Sequence, residues 1–308
     1  MIKSLSFLFL IFITLSSSVF AQEVNDNIKS SPEEVTIGVY VLNLGKFDIA
    51  TGSFTIDFYL SMKCQTECSI ADLEFNNGRS TTIDTLIDEP NEKFYRIQAN
   101  LNSPVALYKF PFDNQQLSII LEDKTRTIEE VIYVPSHDET GIEPSIVFAG
   151  WNIDGWLVQA NEHYYSVYDE TYSQYIYTIS ISRIALNSFL KTFLPVFFIL
   201  IVVLCTFLID PDKVAQRITM VSSSLVAAVM FHVSINNQIP PVGYLTFADK
   251  FMILTYFILL LSFIIAIALL ELQEQKKSLL VEKLHKITEY LMFLIVPLLY
   301  ILLFYLLL

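Results

Sequence analysis

Glycine is scarce, with eight in 308 residues, and none of the eight builds a phosphate-cradling loop. No nucleophile stands with a base in an arrangement fit for catalysis, so enzymatic chemistry has no foothold. Histidine is scarcer still: His137, His163, His232 and His285 show no metal-ligand spacing, and Cys64 and Cys68 would need further ligands to hold zinc. No metal and no cofactor is expected. Positive charge is also in short supply, 19 Lys+Arg against 32 Asp+Glu for a formal net charge of -13. That balance argues against nucleic acid as a partner and favours a field that concentrates cations. Repeats and low-complexity tracts are missing as well.

Apolar residues, by contrast, abound. They make up 53% of the chain, and the mean hydropathy of +0.50 exceeds that of an ordinary soluble protein. The apolarity is uneven: residues 22–185 carry most of the Asp, Glu, Asn and Thr, whereas 186–308 are dominated by Leu, Ile, Phe and Val. Two domains are therefore expected, meeting near Ala185. The first 21 residues combine Lys3, an apolar run over 5–13, and small residues Val19 and Ala21 ahead of Gln22. This is the build of a cleaved signal peptide, too short in its core for a span, so the domain that follows starts outside the cytoplasm. In an oxidising compartment Cys64 and Cys68 form a candidate disulfide, while Cys205 sits in an apolar run as a small hydrophobe.

The exported half alternates with a period of two. Val35, Ile37, Val39 and Val41 oppose Thr36, Gly38 and Tyr40; Phe54, Ile56, Phe58 and Leu60 oppose Thr55, Asp57 and Tyr59; Tyr175, Tyr177, Ile179 and Ile181 oppose Thr178, Ser180 and Ser182. Such strands bury one face. Turn signals such as Asn76-Asn77-Gly78 and Asp138-Glu139-Thr140-Gly141 separate many short strands, the pattern of an all-β, immunoglobulin-like sandwich.

The second half holds four stretches near the roughly 20 helical residues that cross a hydrocarbon core: about 186–209, 217–237, 251–270 and 290–308. A four-helix transmembrane bundle is expected. Between the third and fourth stretches lies an amphipathic segment with Lys276, Lys277, Lys283 and Lys286. Counting spans from an exported amino terminus puts these lysines inside and the carboxyl terminus outside, in agreement with the positive-inside rule.

The second stretch differs from the rest. It holds Thr219, Ser222, Ser223, Ser224, His232, Ser234, Asn236 and Asn237, and polar groups at that depth need water or partners. Alternate steps of four and three select Thr219, Ser223, Val226, Met230, Val233 and Asn237 on one helical face. Arranged around a ring, hydroxyls replace part of an ion's hydration, and Val226, Met230 and Val233 form a gate that closes by dewetting. Periodicity alone serves a second reading equally well, in which the serines mediate close helix packing.

Phe110-Pro111-Phe112-Asp113-Asn114-Gln115-Gln116-Leu117 resembles the Phe-Pro-Phe-Asp core of the signature loop in pentameric ligand-gated ion channels, the Cys-loop receptor superfamily. Ser103 and Leu117 stand where animal members carry the disulfide that closes the loop, as in the prokaryotic branch, and the chain is most similar to its proton-gated bacterial members. The likeness extends over about residues 35–308. Gly150-Trp151-Asn152-Ile153-Asp154 resembles one agonist-site loop, Arg183 the arginine before the first span, Pro195 that span's proline, and Arg217 the basic start of the pore helix.

That resemblance implies a homopentamer around a central pore in a bacterial-type inner membrane, with lipid and permeant ions as its partners. It implies a cluster of Asp48, Phe112, Asp113 and Arg183 at the domain junction, received by Pro240, Pro241 and Tyr244. A static ion pair is the plainer reading of the charged members. For the ligand site it implies a hairpin carrying Tyr164, Tyr165, Tyr168 and Tyr172 beside Trp151 and Glu74. An aromatic cage for an ammonium group and a merely structural use of tyrosine both fit. Protons are a competing stimulus, although the mid-pore histidine of proton-gated relatives is replaced by Ala228. Ala215-Gln216 matches neither the cation nor the anion pattern; Asp210 and Asp212 near the inner mouth favour cations. A different expectation keeps the same architecture without a pore: a periplasmic binding or adhesion module tethered by its spans.

Overall fold

Alternation of apolar and polar residues yields strands, and uninterrupted apolar runs yield helices. The computed structural model describes residues 31–66 and 68–307; the expected signal peptide lies outside the described residues. Among them the strands are β1 (Glu33–Asp48), β2 (Ser53–Lys63), β3 (Leu73–Phe75), β4 (Gly78–Glu89), β5 (Glu92–Asn102), β6 (Asn114–Asp123), β7 (Val131–Pro135), β8 (Gly141–Ile142), β9 (Trp151–Tyr165) and β10 (Glu170–Arg183). A first sheet runs β4-β5-β2-β1-β7 with β8 beside β1, and a second runs β3-β6-β10-β9. Pairing is antiparallel except where β7 and β8 join β1.

The two sheets share one core. Val35, Ile37, Val39 and Val41 from β1 and Phe54, Ile56, Phe58 and Leu60 from β2 meet Leu117, Ile119, Tyr175, Tyr177 and Ile179 of the second sheet. These are the inward members of the alternation, and each large side chain so buried contributes about 1.5–3 kcal/mol. The all-β sandwich expected from the sequence is thus the fold of this half. At the Asn76-Asn77-Gly78 turn, Asn77 donates to the carbonyls of Asn102 at 2.9 Å and Ser118 at 2.6 Å, tying one sheet to the other. A Cβ at Gly78 would come within 2.3 Å of the Asn100 carbonyl oxygen, so only glycine fits there. Cys64 and Cys68 are joined in a disulfide at the far end of β2, with both residues buried.

Four helices follow: α1 (Ala185–Thr206), α2 (Val214–Asn236), α3 (Phe247–Glu274) and α4 (Ser278–Leu307). Each is long and apolar enough to cross a membrane, and α2 is the least apolar, with a mean hydropathy of 1.8 against 2.4 to 2.9 for the others. The third and fourth begin earlier than hydropathy suggests. Thr246 and Asp249 form a capping box that starts α3 four residues before the apolar run. The lysine-rich segment does not stand apart: it divides between a tight turn after α3 and the first turns of α4. Hydropathy locates the lipid-compatible stretch, whereas backbone hydrogen bonding carries the helix on through polar residues. α2 packs against α1 and α3, and α4 against α3.

Candidate functional site

α2 shows two contrasting faces. Val214, Arg217, Val221, Ser224, Ala228 and Ile235 are buried against the other helices. At about 100° per residue, the stripe Thr219, Ser223, Val226, Met230, Val233 and Asn237 lies on the opposite side. All six of its members are exposed in the single chain, with Val226 at 64% and Met230 at 68%. The serines divide accordingly: Ser224 is buried in the helix contact, while Ser223 faces outward. Thr219 donates its hydroxyl proton to the Ala215 carbonyl at 2.9 Å, which leaves the oxygen's lone pairs turned to whatever the stripe faces.

Arg217 turns away from that stripe. It is buried, and its guanidinium donates to the Ile209 carbonyl and lies 3.1 Å from His285 Nδ1 of α4. Its charge is thus directed into the helix packing. His232 is likewise held off the stripe, its Nδ1 at 2.9 Å from the Tyr256 hydroxyl and its Nε2 at 3.1 Å from Asp249 Oδ1. Asp249 also accepts from Thr246 to cap α3, so one carboxylate links the pore-candidate helix to the start of the next. In the sequence His232 is legible as a polar group within a span, whereas its partners Tyr256 and Asp249 come from α3 and are set by helix packing.

The junction between sandwich and helices is built by the Phe-Pro-Phe-Asp loop. Leu107 and Phe110 are buried in the core of the helical half, and Phe112 lies 5.7 Å from Phe247 and 6.0 Å from Phe193, ring to ring. The loop also receives α3 directly, because the Phe247 and Ala248 N–H groups donate to the carbonyls of Tyr108 and Phe110 at 2.9 and 3.1 Å. Those are two of the orphan donors every helix start must satisfy. The Tyr244 hydroxyl oxygen accepts from the Leu107 N–H at 2.9 Å.

Asp113 and Arg183 form an ion pair, Nε to Oδ1 2.5 Å, in which the Asp113 carboxylate is almost wholly buried. Gln115 donates to the second oxygen at 2.7 Å. The guanidinium also sits over the rings of Trp151, 4.5 Å from the centroid, and Phe110, 5.1 Å. Asp48 is not part of this pair: its carboxylate accepts from the Ala50 N–H within its own β1–β2 turn at 2.9 Å, and it makes no ion pair among the described residues. Pro240 and Pro241 line a pocket of about 570 Å³ in the α2–α3 connection with Tyr244 and Asp249.

The expected ligand residues are not gathered in one place. Trp151 opens β9, paired across the strand with Arg183, whereas Tyr164 and Tyr165 close the same strand. Fourteen residues separate the two ends, roughly 45 Å at about 3.3 Å per residue. Trp151 therefore belongs to the junction, where it also packs edge-on to Phe47 at 5.6 Å. The tyrosines stay together on the β9–β10 hairpin: Tyr165 and Tyr172 meet edge to face at 5.6 Å, and Tyr164 and Tyr168 are exposed. Burial, and then a hydrogen bond to Glu122, push the Tyr165 hydroxyl up to about 12. Glu74 is exposed on β3, directly across from Glu122 of β6.

No family model matches the chain. It is similar to the proton-gated ion channel of Gloeobacter violaceus, with 20% identity over 255 residues that cover 74% of this chain and 70% of that one. The resemblance carried by the Phe110–Leu117 loop is borne out by that relative. With four helices each long and apolar enough to span a bilayer, the chain is a multi-pass membrane protein, and the relative it resembles is an ion channel rather than an enzyme.

Proposed function

We propose that five copies of this chain surround a pore lined by α2, and that an event in the sandwich opens it. The observation that carries this reading is the division of α2, whose polar-apolar-polar stripe is uncovered while the opposite face packs on its own subunit. In this arrangement the stripes of the five copies meet across the axis. Hydroxyls of Thr219 and Ser223 face the ion, and Val226, Met230 and Val233 form the constriction that shuts by losing its water.

The permeant ions are cations. Thr219 presents oxygen lone pairs, the one arginine of α2 points into the packing, and Asp210 and Asp212 stand at the α1–α2 turn. The sandwich and the carboxyl terminus lie on the periplasmic side of an inner membrane, with Lys276, Lys277, Lys283 and Lys286 inside. An apolar groove of about 530 Å³ between α1 and α4, bordered by Phe197, Leu200, Val296 and Tyr300, faces lipid.

Coupling runs through the junction. A twist of the sandwich moves the Asp113–Arg183 pair and the Phe112 ring, and through Tyr244 the connection after α2. The stimulus is a proton or a small agonist received near the β9–β10 hairpin; the likeness to a proton-gated channel supports the proton.

The experiment is a cysteine scan of α2 in proteoliposomes, with ion flux read before and after a charged thiol reagent. Modification at 219, 223, 226, 230, 233 and 237 should block flux while modification at 221 and 228 should not. Flux that is absent, or a pattern without this helical period, would leave the tethered binding module as the better account.

A further inference from the structure

Glu122 lies on the wrong side of its sheet for a buried group. In β10 the core-facing members are Ser173, Tyr175, Tyr177, Ile179 and Ile181, so Gln174, and Glu122 directly across from it, belong to the outward face. A carboxylate there would ordinarily be solvated. Glu122 is instead 1% exposed. His163, Tyr165 and Gln174 close over it, each with a polar atom on the carboxylate: His163 Nδ1 and Gln174 Nε2 on Oε1, both at 2.5 Å, and the Tyr165 hydroxyl on Oε2 at 2.9 Å.

These three residues all belong to the hairpin strands β9 and β10, and Glu122 belongs to β6. A charge taken out of water is expensive unless such donors replace its hydration, so they add a side-chain hold to the end of the backbone ladder by which β10 pairs with β6 from Gln174 to Ser182. Of the three residue types, only histidine is one that ordinarily changes charge near neutrality. Gln174 does not titrate, and Tyr165 keeps its proton up to about 12. His163, 40% exposed at its side chain, is open to solvent protons, and histidine changes charge between about pH 5 and 8.

The other charged groups around the ring are largely acidic. Glu74 faces from β3, Glu170 accepts from Tyr172 at 2.9 Å on the hairpin, and Asp123 follows on β6 already paired with Arg126. Protonation turns the His163 contact into an ion pair, roughly twice as strong as a neutral hydrogen bond. A neutral ring keeps the contact only in the tautomer with its proton on Nδ1.

We propose that Glu122 and His163 are positioning residues that clamp the β9–β10 hairpin to β6 more firmly as pH falls, and so set the proton sensitivity of the sandwich. The effect on opening rests on the channel reading above; the clamp itself does not.

The test uses the full chain in liposomes at about pH 8 and about pH 5, the interval in which histidine titrates. Amide hydrogen exchange over residues 157–175, corrected for intrinsic rate, is measured beside ion flux for the unaltered chain, His163→Gln and Glu122→Gln. The unaltered chain should gain roughly fivefold protection in the hairpin on acidification. His163→Gln, which keeps a donor but cannot titrate, should show none of that gain and a flattened pH profile of flux. An equal gain in His163→Gln overturns the clamp, and because that side chain is partly exposed its replacement does not threaten folding. Should Glu122→Gln misfold, His163→Gln still decides. Absence of flux in the unaltered chain would defeat the channel reading, while the exchange data would still judge the clamp.

Discussion

Tyr244 stacks on Tyr108 with ring centroids 3.8 Å apart, one residue from the sandwich loop and the other from the connection that follows α2. The same tyrosine holds the Leu107 N–H through its hydroxyl. The stack and the hydrogen bond together join the loop to the segment that the pore-candidate helix leads into.

Tyr244→Phe removes the hydrogen bond and keeps the stack, at a cost of about 0.5–1.5 kcal/mol. Tyr244→Ala removes both, adding about 0.5–1.5 kcal/mol for the ring pair. Both variants should assemble normally, and the stimulus needed for half-maximal flux should rise from unaltered chain to Phe to Ala. A double-mutant cycle with Tyr108→Ala measures the coupling; additive effects would count against this contact as the link.

Asp113→Asn leaves the Arg183 guanidinium buried against Phe110 and Trp151 without its counter-charge. Breaking a buried pair from one side costs about 3–5 kcal/mol. The variant should melt earlier in detergent and gate poorly, and Arg183→Gln placed on top of it should recover part of the melting temperature. No recovery would mean that the two side chains act separately.

Val226→Ser adds water to the narrow middle of the stripe. Opening should need less stimulus, by about tenfold if the loss summed over the copies reaches about 1.4 kcal/mol. Ser224→Val, on the buried face, should instead lower thermal stability by overpacking and leave the activation midpoint where it was. The reverse outcome would exchange the roles of the two faces.

Hydrogen bonds from Lys63 and then from Ser61 hold the Glu139 carboxyl below the usual glutamate range. The same contact raises Lys63. A depressed acid contributes stability above its unfolded value, near 4.3, and loses it as pH falls through its folded one. Lys63 contributes below about 10.4 and loses its share as pH rises through its folded value. Glu139→Gln should therefore melt earlier than the unaltered chain at neutral pH, and the two melting curves should converge under strong acid. A gap that persists in acid would assign the loss to packing.

Local periodicity made a good part of this protein legible. The period of two in β1, β2 and β10 gave the buried faces of the sandwich residue by residue, because alternation is a property of the extended backbone itself. The steps of three and four along α2 likewise separated Thr219 and Val226 from Ser224 and Ala228 before any neighbour was known. The apolar runs marked four helices, though the capping box at Thr246 and the polar turns of α4 extended two of them.

Partnership over long separations was decided only by the tertiary structure. Trp151 and Tyr164 look adjacent on a map of motifs, yet they occupy opposite ends of one strand. Asp48 carries the right charge for Arg183 but is bound within its own turn. Arg217 and His285, His232 and Asp249, Glu122 and His163 meet through helix packing and sheet register. A side chain's spacing is fixed by its own backbone, but the group that satisfies its charge arrives from wherever the fold brings another strand or helix alongside, and no local pattern encodes that meeting.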